Sequence, residues 1–384
     1  MRIACIATSK VPSRTANSIQ VMKVCQALAE LGHELTLWLP DHGVETRWGT
    51  LREQYGIDRT FPIRRVRAFP GLGRYDFCLR AVLQARSWSA RLLYVWPIQA
   101  AAIAGWFRLP SALEIHDRPR GRLGPRLLGA YLMSRTPHRI LPISHALQSW
   151  LSAEYATPLE PPLSMIAPDG IDLERYENLP DAREARRRLG LPDRETAIYT
   201  GHLYPGRGVD LILDLARRNS SMSFVIAGGE PEAIEQWRAK ASSSSLHHVH
   251  FLGFIPNADL PMVQAAGDVL LMPYARAIAV SGGGDTSAYA SPMKMFEYLA
   301  AGRVILSSDL PVLREVLSEE NAVLLPPEDP EAWHAALEEL RRNPDWAARL
   351  AARARADAQH FTWVERARRS LDGIAASDEI DAGS

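Results

Sequence analysis

Residues 1–40 read MRIACIATSKVPSRTANSIQVMKVCQALAELGHELTLWLP. Ile3 to Ala7 is a short apolar strand, and a polar loop, Thr8 to Asn17, follows it. Ser18 to Leu31 then spaces Ile19, Met22, Ala27 and Leu31 as a helix does, with Gly32 as its stop. Glu34 to Leu39 is apolar again and reads as a second strand. Strand, helix and strand make a βαβ unit, the seed of a parallel doubly wound sheet.

The pattern continues with strands near Leu92–Val95, Ser111–Ile115 and Arg139–Ile143. It pauses between Glu177 and Glu195, a charged stretch with Pro180, Gly190 and Pro192, and then restarts. Ala197–Tyr199, Ser223–Ala227, His250–Leu252, Val269–Met272 and Val304–Ser307 read as strands, with a helix over Met293–Ala301. The expected organisation is an N-terminal Rossmann-like lobe over 1–177, a linker over 178–194 and a second Rossmann-like lobe over 195–360. A helix and tail over 361–384 are expected to pack back on the first lobe. Ligands of such sheets bind at the carboxyl ends of the strands, and in two lobes those ends are expected to face each other across a cleft.

Composition agrees with a globular α/β protein. Of 384 residues, 47% are hydrophobic and 23% charged, which excludes a disordered or collagenous chain. The apolar runs fall short of the roughly 20 residues a spanning helix needs. The opening residues read as a strand rather than a signal peptide. Cys5, Cys25 and Cys78 form no zinc or CxxC pattern, so reduced thiols in a cytoplasmic protein are expected. The net charge of zero conceals an asymmetry. Residues 1–177 carry 22 Lys+Arg against 15 Asp+Glu, a balance of +7, and the remainder carries −7. An anionic partner for the first half follows, or else a solvated Arg-rich surface. Phe61, Phe69, Tyr75 and Phe77 are interleaved with the arginines, so an anionic membrane surface is the expected partner. No motif indicates nucleic acid.

The loops after strands carry the chemistry. Thr200-Gly201-His202-Leu203-Tyr204-Pro205-Gly206-Arg207-Gly208 leads from a strand into a helix. Its glycines admit close approach of the backbone, and His202 and Arg207 sit beside a helix N-terminus that favours anions. It is an anion site or an ordinary glycine-rich turn. It is not a P-loop, and no GxGxxG fingerprint supports a dinucleotide enzyme. Ser291-Pro292-Met293-Lys294-Met295-Phe296-Glu297-Tyr298-Leu299-Ala300-Ala301-Gly302 is the strongest local signal. Ser291 fits an N-cap, Pro292 the first helical position and Gly302 the stop. Lys294 in the first turn opposes the helix dipole. Either Lys294 and Glu297 pair on the surface, or the broken rule marks a functional position. Ser281-Gly282-Gly283-Gly284-Asp285-Thr286-Ser287 reads as a mobile loop over the cleft. In the first half, His116 ends a strand, where it either packs or touches substrate.

At this point the chain resembles the retaining, nucleotide-sugar-dependent glycosyltransferases of family 4, which have the GT-B fold. Ile115-His116-Asp117 resembles the family's HD element, Ile143-Ser144 its vS strand end, and Pro168-Asp169-Gly170-Ile171-Asp172 its PNGVD. Gly201 to Asp210 is similar to GRLxxxKGVD, Ala227-Gly228-Gly229 to a strand end rich in glycine, Phe251-Leu252-Gly253 to a further strand end, and Ser291 to Gly302 to SPLKxFEYMAAG. The resemblance implies that Arg207 holds the donor diphosphate with His202 beside it, and that Glu297 holds the ribose hydroxyls. It implies that the backbone near Gly201, Ser291, Pro292, Met293 and Lys294 reaches diphosphate or sugar, that His116 contacts the sugar, and that Gly253-Phe254-Ile255 lines the base pocket. His116, Arg207, Lys294 and Glu297 are then the catalytic candidates. The family's first glutamate is absent, and Tyr289 stands in its place; Asp285 is a possible substitute for it.

The implied activity is retaining transfer of a hexose from a nucleoside-diphosphate sugar to a saccharide or lipid-linked saccharide. Cell-surface polysaccharide or glycolipid synthesis is the setting, on the inner face of the membrane. Neither a metal nor a cofactor is expected. The acceptor is expected on the first lobe, near Ser13, Asn17 and Lys23. A sugar-nucleotide epimerase on the same fold, and a non-catalytic sugar-nucleotide-binding protein, are the alternatives.

Overall fold

The computed structural model describes residues 1–43, 47–69, 71–279 and 285–374. It divides into two units, one made of Met1–Asp169 with the chain from Trp363 onward, the other of Gly170–Thr362.

The first unit runs β1 (Arg2–Ile6), α1 (Ala16–Glu30), β2 (Glu34–Pro40), α2 (Trp48–Tyr55), β3 (Ile63–Val66), α3 (Tyr75–Ser87), β4 (Leu92–Val95), α4 (Ile98–Trp106), β5 (Ser111–Ile115), α5 (Gly124–Leu132), β6 (His138–Pro142) and α6 (His145–Glu154). Its six strands lie in the order β3-β2-β1-β4-β5-β6. Every pairing is parallel. Helices on both faces bury the central strands, which is why β4 reads as an unbroken apolar run, β1 as one after Arg2, and β5 as one interrupted by the buried Glu114. The edge strand β3 carries Arg64 and Arg65 and is half-exposed, so its sequence shows no comparable run.

The second unit repeats the plan. After a 3₁₀ turn at Leu173–Tyr176 come α7 (Ala182–Arg188), β7 (Thr196–Thr200), α8 (Val209–Arg218), β8 (Ser223–Ala227), α9 (Pro231–Ser243), β9 (Val249–Gly253), α10 (Leu260–Ala265) and β10 (Val269–Met272). There follow α11 (Met293–Ala301), β11 (Val304–Ser308), β12 (Val323–Leu325), α12 (Pro330–Arg342) and α13 (Pro344–Asp357). The sheet order is β12-β11-β10-β7-β8-β9, the same winding as in the first unit. An apolar core covers one face of the sheet, with Leu211, Leu215, Phe224, Leu271, Leu306 and Trp333 among its members, and the alternate strand residues Ile198, Val225, Leu270 and Ile305 are buried too. In each unit the strand order reverses between two central strands, β1 and β4 or β7 and β10. Such reversals open a crevice at the strands' carboxyl ends.

Three boundaries differ from the sequence reading. The units divide at 169/170 and 362/363 rather than at 177 and 360. The reason is local: Ile171 N–H donates to the Phe361 carbonyl at 2.9 Å, so the outgoing and returning chains lie side by side. Residues 178–194 are not a free linker either. Arg186 of α7 is buried, donating to the Ala266 carbonyl at 3.1 Å and to Asp268 at 2.9 Å. Its charge looks like a solvated segment in sequence but is satisfied inside the second unit. The C-terminal helix α14 (Trp363–Leu371) packs on α1 within the first unit, as the sequence reading has it.

Two of the aromatic residues set among the arginines are core residues. Phe77 is buried, and Phe61 is buried edge-on against Trp48. Phe69 is exposed, with Leu72, Leu79 and Leu83 near it in sequence. Among the described residues no helix is long and apolar enough to cross a membrane.

Candidate functional site

The loop after β7 and the loop after β10 close on each other at the second unit's reversal point. Ala275 N–H donates to the Gly206 carbonyl at 3.0 Å, and Ala279 N–H to the Pro205 carbonyl at 3.1 Å. This approach dictates the glycines. Gly208 has φ +78°, and a Cβ there would overlap the Pro273 carbonyl. Gly208 caps α8, so Arg207 stands immediately before a helix N-terminus. Its guanidinium donates to Tyr274 Oη at 3.0 Å, and among the described residues its buried Nε has no hydrogen-bond partner.

The cap of α11 is Pro292, not Ser291 as the sequence suggests, and no side chain caps it. Lys294 and Glu297 are not a surface pair. They are 8% and 6% exposed. Among the described residues the Lys294 ammonium has no hydrogen-bond partner. It sits 3.7 Å from the Tyr199 ring centre and 5.3 Å from that of Tyr274, where ring quadrupoles partly replace water. Burial, and then the neighbouring Arg207, push its pKa well below the ordinary lysine value. His202 stacks on Tyr204 at 4.9 Å. Its pKa is also lowered, by burial, Arg207 and Lys294 in turn. Arg207 thus lowers both Lys294 and His202, with Glu297 and Glu230 acting on them only in part, and among the described residues no carboxylate is salt-bridged to the three. An anion arriving there relieves the mutual repulsion of the three groups.

Glu297 faces donors instead. Its two oxygens accept from Asn257 Nδ2 at 3.0 Å and from Gln264 Nε2 at 3.1 Å. Burial raises its pKa, while Arg175, both amides and Lys294 oppose the rise. The sequence reading missed Asn257 and Gln264, which lie in no motif; only the packing brings them to Glu297.

Gly201 has φ +135°, and a Cβ there would lie 2.8 Å from Lys294 Nζ. Its N–H donates to the Ala227 carbonyl at 2.8 Å, and Gly228 N–H donates to the Gly253 carbonyl at 2.6 Å. The ends of β7, β8 and β9 are thus drawn together, with Phe254 and Ile255 half-buried beyond Gly253. Tyr289 is buried, and its hydroxyl donates to the Asp285 carbonyl at 3.3 Å. Asp285 is exposed and organises its own turn, accepting from Ile278 N–H at 2.8 Å and Ser287 N–H at 2.9 Å. Ser281 to Gly284 lie outside the described residues.

In the first unit His116 ends β5, and its Nε2 lies 2.7 Å from Glu114 Oε1. Glu114 is the centre of a buried network. Tyr94 Oη donates to it at 2.6 Å and Arg366 Nη2 at 2.6 Å. Gln20 donates to it as well. Burial alone would raise the Glu114 pKa, but Arg366 and then His116 hold it down to about 2. Arg366 comes from α14, far away in sequence, and no spacing rule points to it. Of the candidate acceptor residues, Ser13 is half-buried, with its N–H donating to Tyr55 Oη at 2.7 Å. Asn17 is exposed and accepts from Ser9 Oγ. Lys23 does not belong to this loop surface. It is 2% exposed and donates to the Gly56 carbonyl at 2.7 Å, because the α1 face that carries it turns inward.

Residues 194–343 match the family described as Glycosyl transferases group 1. The chain is 27% identical over 296 residues to the 2-deoxystreptamine glucosyltransferase of Streptomyces kanamyceticus, covering 66% of this chain and 74% of that protein. It is 34% identical over 111 residues to the GDP-mannose-dependent alpha-(1-6)-phosphatidylinositol monomannoside mannosyltransferase of Mycolicibacterium smegmatis, covering 28% of this chain and 29% of that protein. Among solved structures, Anabaena Alr3699/HepE in complex with UDP matches with a TM-score of 0.75 at 18% identity, over 98% of this chain and 100% of that one. Sucrose-phosphate synthase from Thermosynechococcus elongatus matches with a TM-score of 0.72 at 17% identity, over 100% of both chains.

Proposed function

From the premise that this chain carries a group 1 glycosyltransferase domain on a GT-B fold, we propose that it transfers a hexose, with retention, from a nucleoside-diphosphate sugar to a saccharide or lipid-linked saccharide. The observation that carries this reading is the buried Lys294 ammonium, without a hydrogen-bond partner among the described residues, beside Arg207 at the carboxyl ends of β7 and β10. A diphosphate supplies the negative charge that this cluster lacks.

The reaction breaks the bond between the anomeric carbon and the diphosphate oxygen, and the electron pair leaves on that oxygen. Arg207, Lys294 and the first amides of α11 stabilise the charge as it develops. These groups are aimed before the reaction, so no metal is required in the proposal. The acceptor hydroxyl attacks from the face the diphosphate leaves, and its proton passes to the departing phosphate oxygen. No carboxylate nucleophile is invoked. Glu297 accepts from the ribose hydroxyls, and His116 contacts the transferred sugar. The hydrogen bond between its Nε2 and Glu114 supports that role by fixing the ring, leaving Nδ1 for a substrate hydroxyl.

Association with an anionic membrane is part of the proposal, in the setting of cell-surface polysaccharide or glycolipid synthesis on the membrane's inner face. Support comes from Leu72, Leu79 and Leu83, which are exposed in a segment rich in arginine. Binding to anionic vesicles that weakens with added salt is the expected result. Binding absent at low salt removes this part of the proposal.

The donor reading is tested by thermal shift with UDP, GDP, ADP, CMP and NAD on the wild type and Arg207→Ala. Ligand at about 100 times its dissociation constant adds about 2.7 kcal/mol. Stabilisation by one nucleoside diphosphate, lost in Arg207→Ala, is expected. Stabilisation by NAD alone, or by none of the five, refutes the reading.

A further inference from the structure

Glu297 is held by a two-armed support that begins at the 3₁₀ turn Leu173–Tyr176. Arg175 Nη1 donates to Asn257 Oδ1 at 2.9 Å, and the same guanidinium donates to the Asn257 carbonyl. Tyr176 Oη donates to Gln264 Oε1 at 2.9 Å. A guanidinium can only donate, so Asn257 must turn its oxygen to Arg175 and its NH₂ to Glu297. Gln264 turns its NH₂ to the carboxylate, which can only accept, and its oxygen then accepts the Tyr176 hydroxyl proton, which holds the amide in place. Each amide therefore presents a donor to one oxygen of Glu297, at 3.0 and 3.1 Å. Asn257 and Gln264 are both buried, so no water competes for these bonds.

Two donors on two different oxygens do two things. They favour the ionised carboxylate against its burial, and they fix the plane of the group. Each oxygen keeps a further lone pair in that plane. The pair of acceptors then matches two neighbouring hydroxyls, which is what a ribose diol offers and a 2′-deoxyribose does not. An analogue lacking the hydroxyl leaves a buried carboxylate oxygen underused, which is the situation in which enzymes discriminate strongly.

We infer that Asn257 and Gln264, oriented by Arg175 and Tyr176, are positioning residues that make Glu297 selective for ribonucleotide over 2′-deoxyribonucleotide donors. The inference rests on the assignment of Glu297 to the ribose. Arg175 and Tyr176 act at one remove, through the amides, and touch no substrate.

The test measures the dissociation constants of UDP and dUDP, and of GDP and dGDP, by calorimetry. The proteins are the wild type, Glu297→Gln, Tyr176→Phe and Asn257→Leu, with circular dichroism as the check on folding. The wild type should prefer the ribonucleotide by roughly 10–100-fold, the worth of one charge-assisted hydrogen bond. Tyr176→Phe keeps the packing but removes the donor that fixes the Gln264 oxygen, so the amide is held only through its NH₂. It should weaken ribonucleotide binding and leave the 2′-deoxy form unchanged, so that the ratio falls towards one. A merely structural role would weaken both forms alike, and that result overturns the inference. So does an unchanged ratio in Tyr176→Phe and Asn257→Leu while Glu297→Gln abolishes it. If Asn257→Leu does not fold, Tyr176→Phe decides alone. Selectivity that survives in Glu297→Gln, or a protein that binds neither nucleotide, refutes instead the assignment of Glu297 to the ribose.

Discussion

Replacing Lys294 by methionine should stabilise the free protein and abolish its affinity for a nucleoside diphosphate. The ammonium is 8% exposed, has no hydrogen-bond partner among the described residues, and lies against the ring of Tyr199 at 3.7 Å. Its pKa is lowered by burial and by Arg207. Each pKa unit of depression corresponds to about 1.4 kcal/mol of strain on the charged form. The ring contact returns about 2 kcal/mol or less. Methionine is close in length and carries no charge to desolvate, and comparable replacements of buried charges gain about 1–4 kcal/mol. At about 2–4 °C per kcal/mol for a unit of this size, Tm should rise by several degrees. The pH dependence has a definite sign. The folded pKa lies below the unfolded one, so the unfolded chain binds more protons between the two values. Wild-type stability therefore rises with pH across that window, up to the ordinary lysine value, and the variant lacks this rise. Diphosphate binding reverses the depression, so the wild type takes up a proton on binding within the same window, and affinity falls as pH increases. Calorimetric melting between pH 6 and 10 measures the first effect. Titration with the stabilising nucleotide in buffers of different ionisation enthalpy measures the second. A Lys294→Met protein that melts below the wild type, or that binds nucleotide as tightly, refutes the reasoning.

His202→Asn should remove a separate, near-neutral component. In the wild type, affinity for the nucleotide should tighten as pH falls from 7 towards 5, because the bound anion restores the lowered His202 pKa; equal pH profiles in calorimetric titration would contradict this. Arg366→Met leaves Glu114 buried without its guanidinium, and chemical denaturation should report a loss of about 3–5 kcal/mol. Because the folded Glu114 pKa is about 2, the wild-type contribution is complete above the unfolded value near 4.3 and is lost as pH falls towards 2. Acid titrations of the wild type and variant should therefore converge at low pH. Gly208→Ala forces a Cβ onto the Pro273 carbonyl at φ +78°, so the two loops must part. Nucleotide stabilisation should be lost in a thermal shift even where the rest of the second unit stays folded.

Much of the fold was legible because a parallel sheet covered on both faces writes itself as apolar runs separated by helices. β1, β4, β5, β7, β8, β10 and β11 all have that signature, and each is buried along its length or nearly so. The edge strand β3 (Ile63–Val66) does not, since water covers part of it and it carries Arg64 and Arg65, and the edge strand β12 is apolar but only three residues long. At the site, the glycines and the misplaced charge of Lys294 were visible locally, because φ and the helix dipole are short-range properties. The burial of Lys294 was not, since a lysine three residues before a glutamate is equally compatible with a solvated helix face.

By itself, then, the sequence determined the doubly wound class, the two-lobed repetition and the loops where an anion can be bound. These follow from periodicity and backbone conformation, which act over a few residues. Only the tertiary structure decided that Arg366 balances Glu114, that Lys23 and Phe77 are core residues, and that Arg175 and Tyr176 aim Asn257 and Gln264 at Glu297. Those facts depend on which side chains the folding chain removes from water together. Desolvation is a property of the assembled core, and no window of sequence contains it.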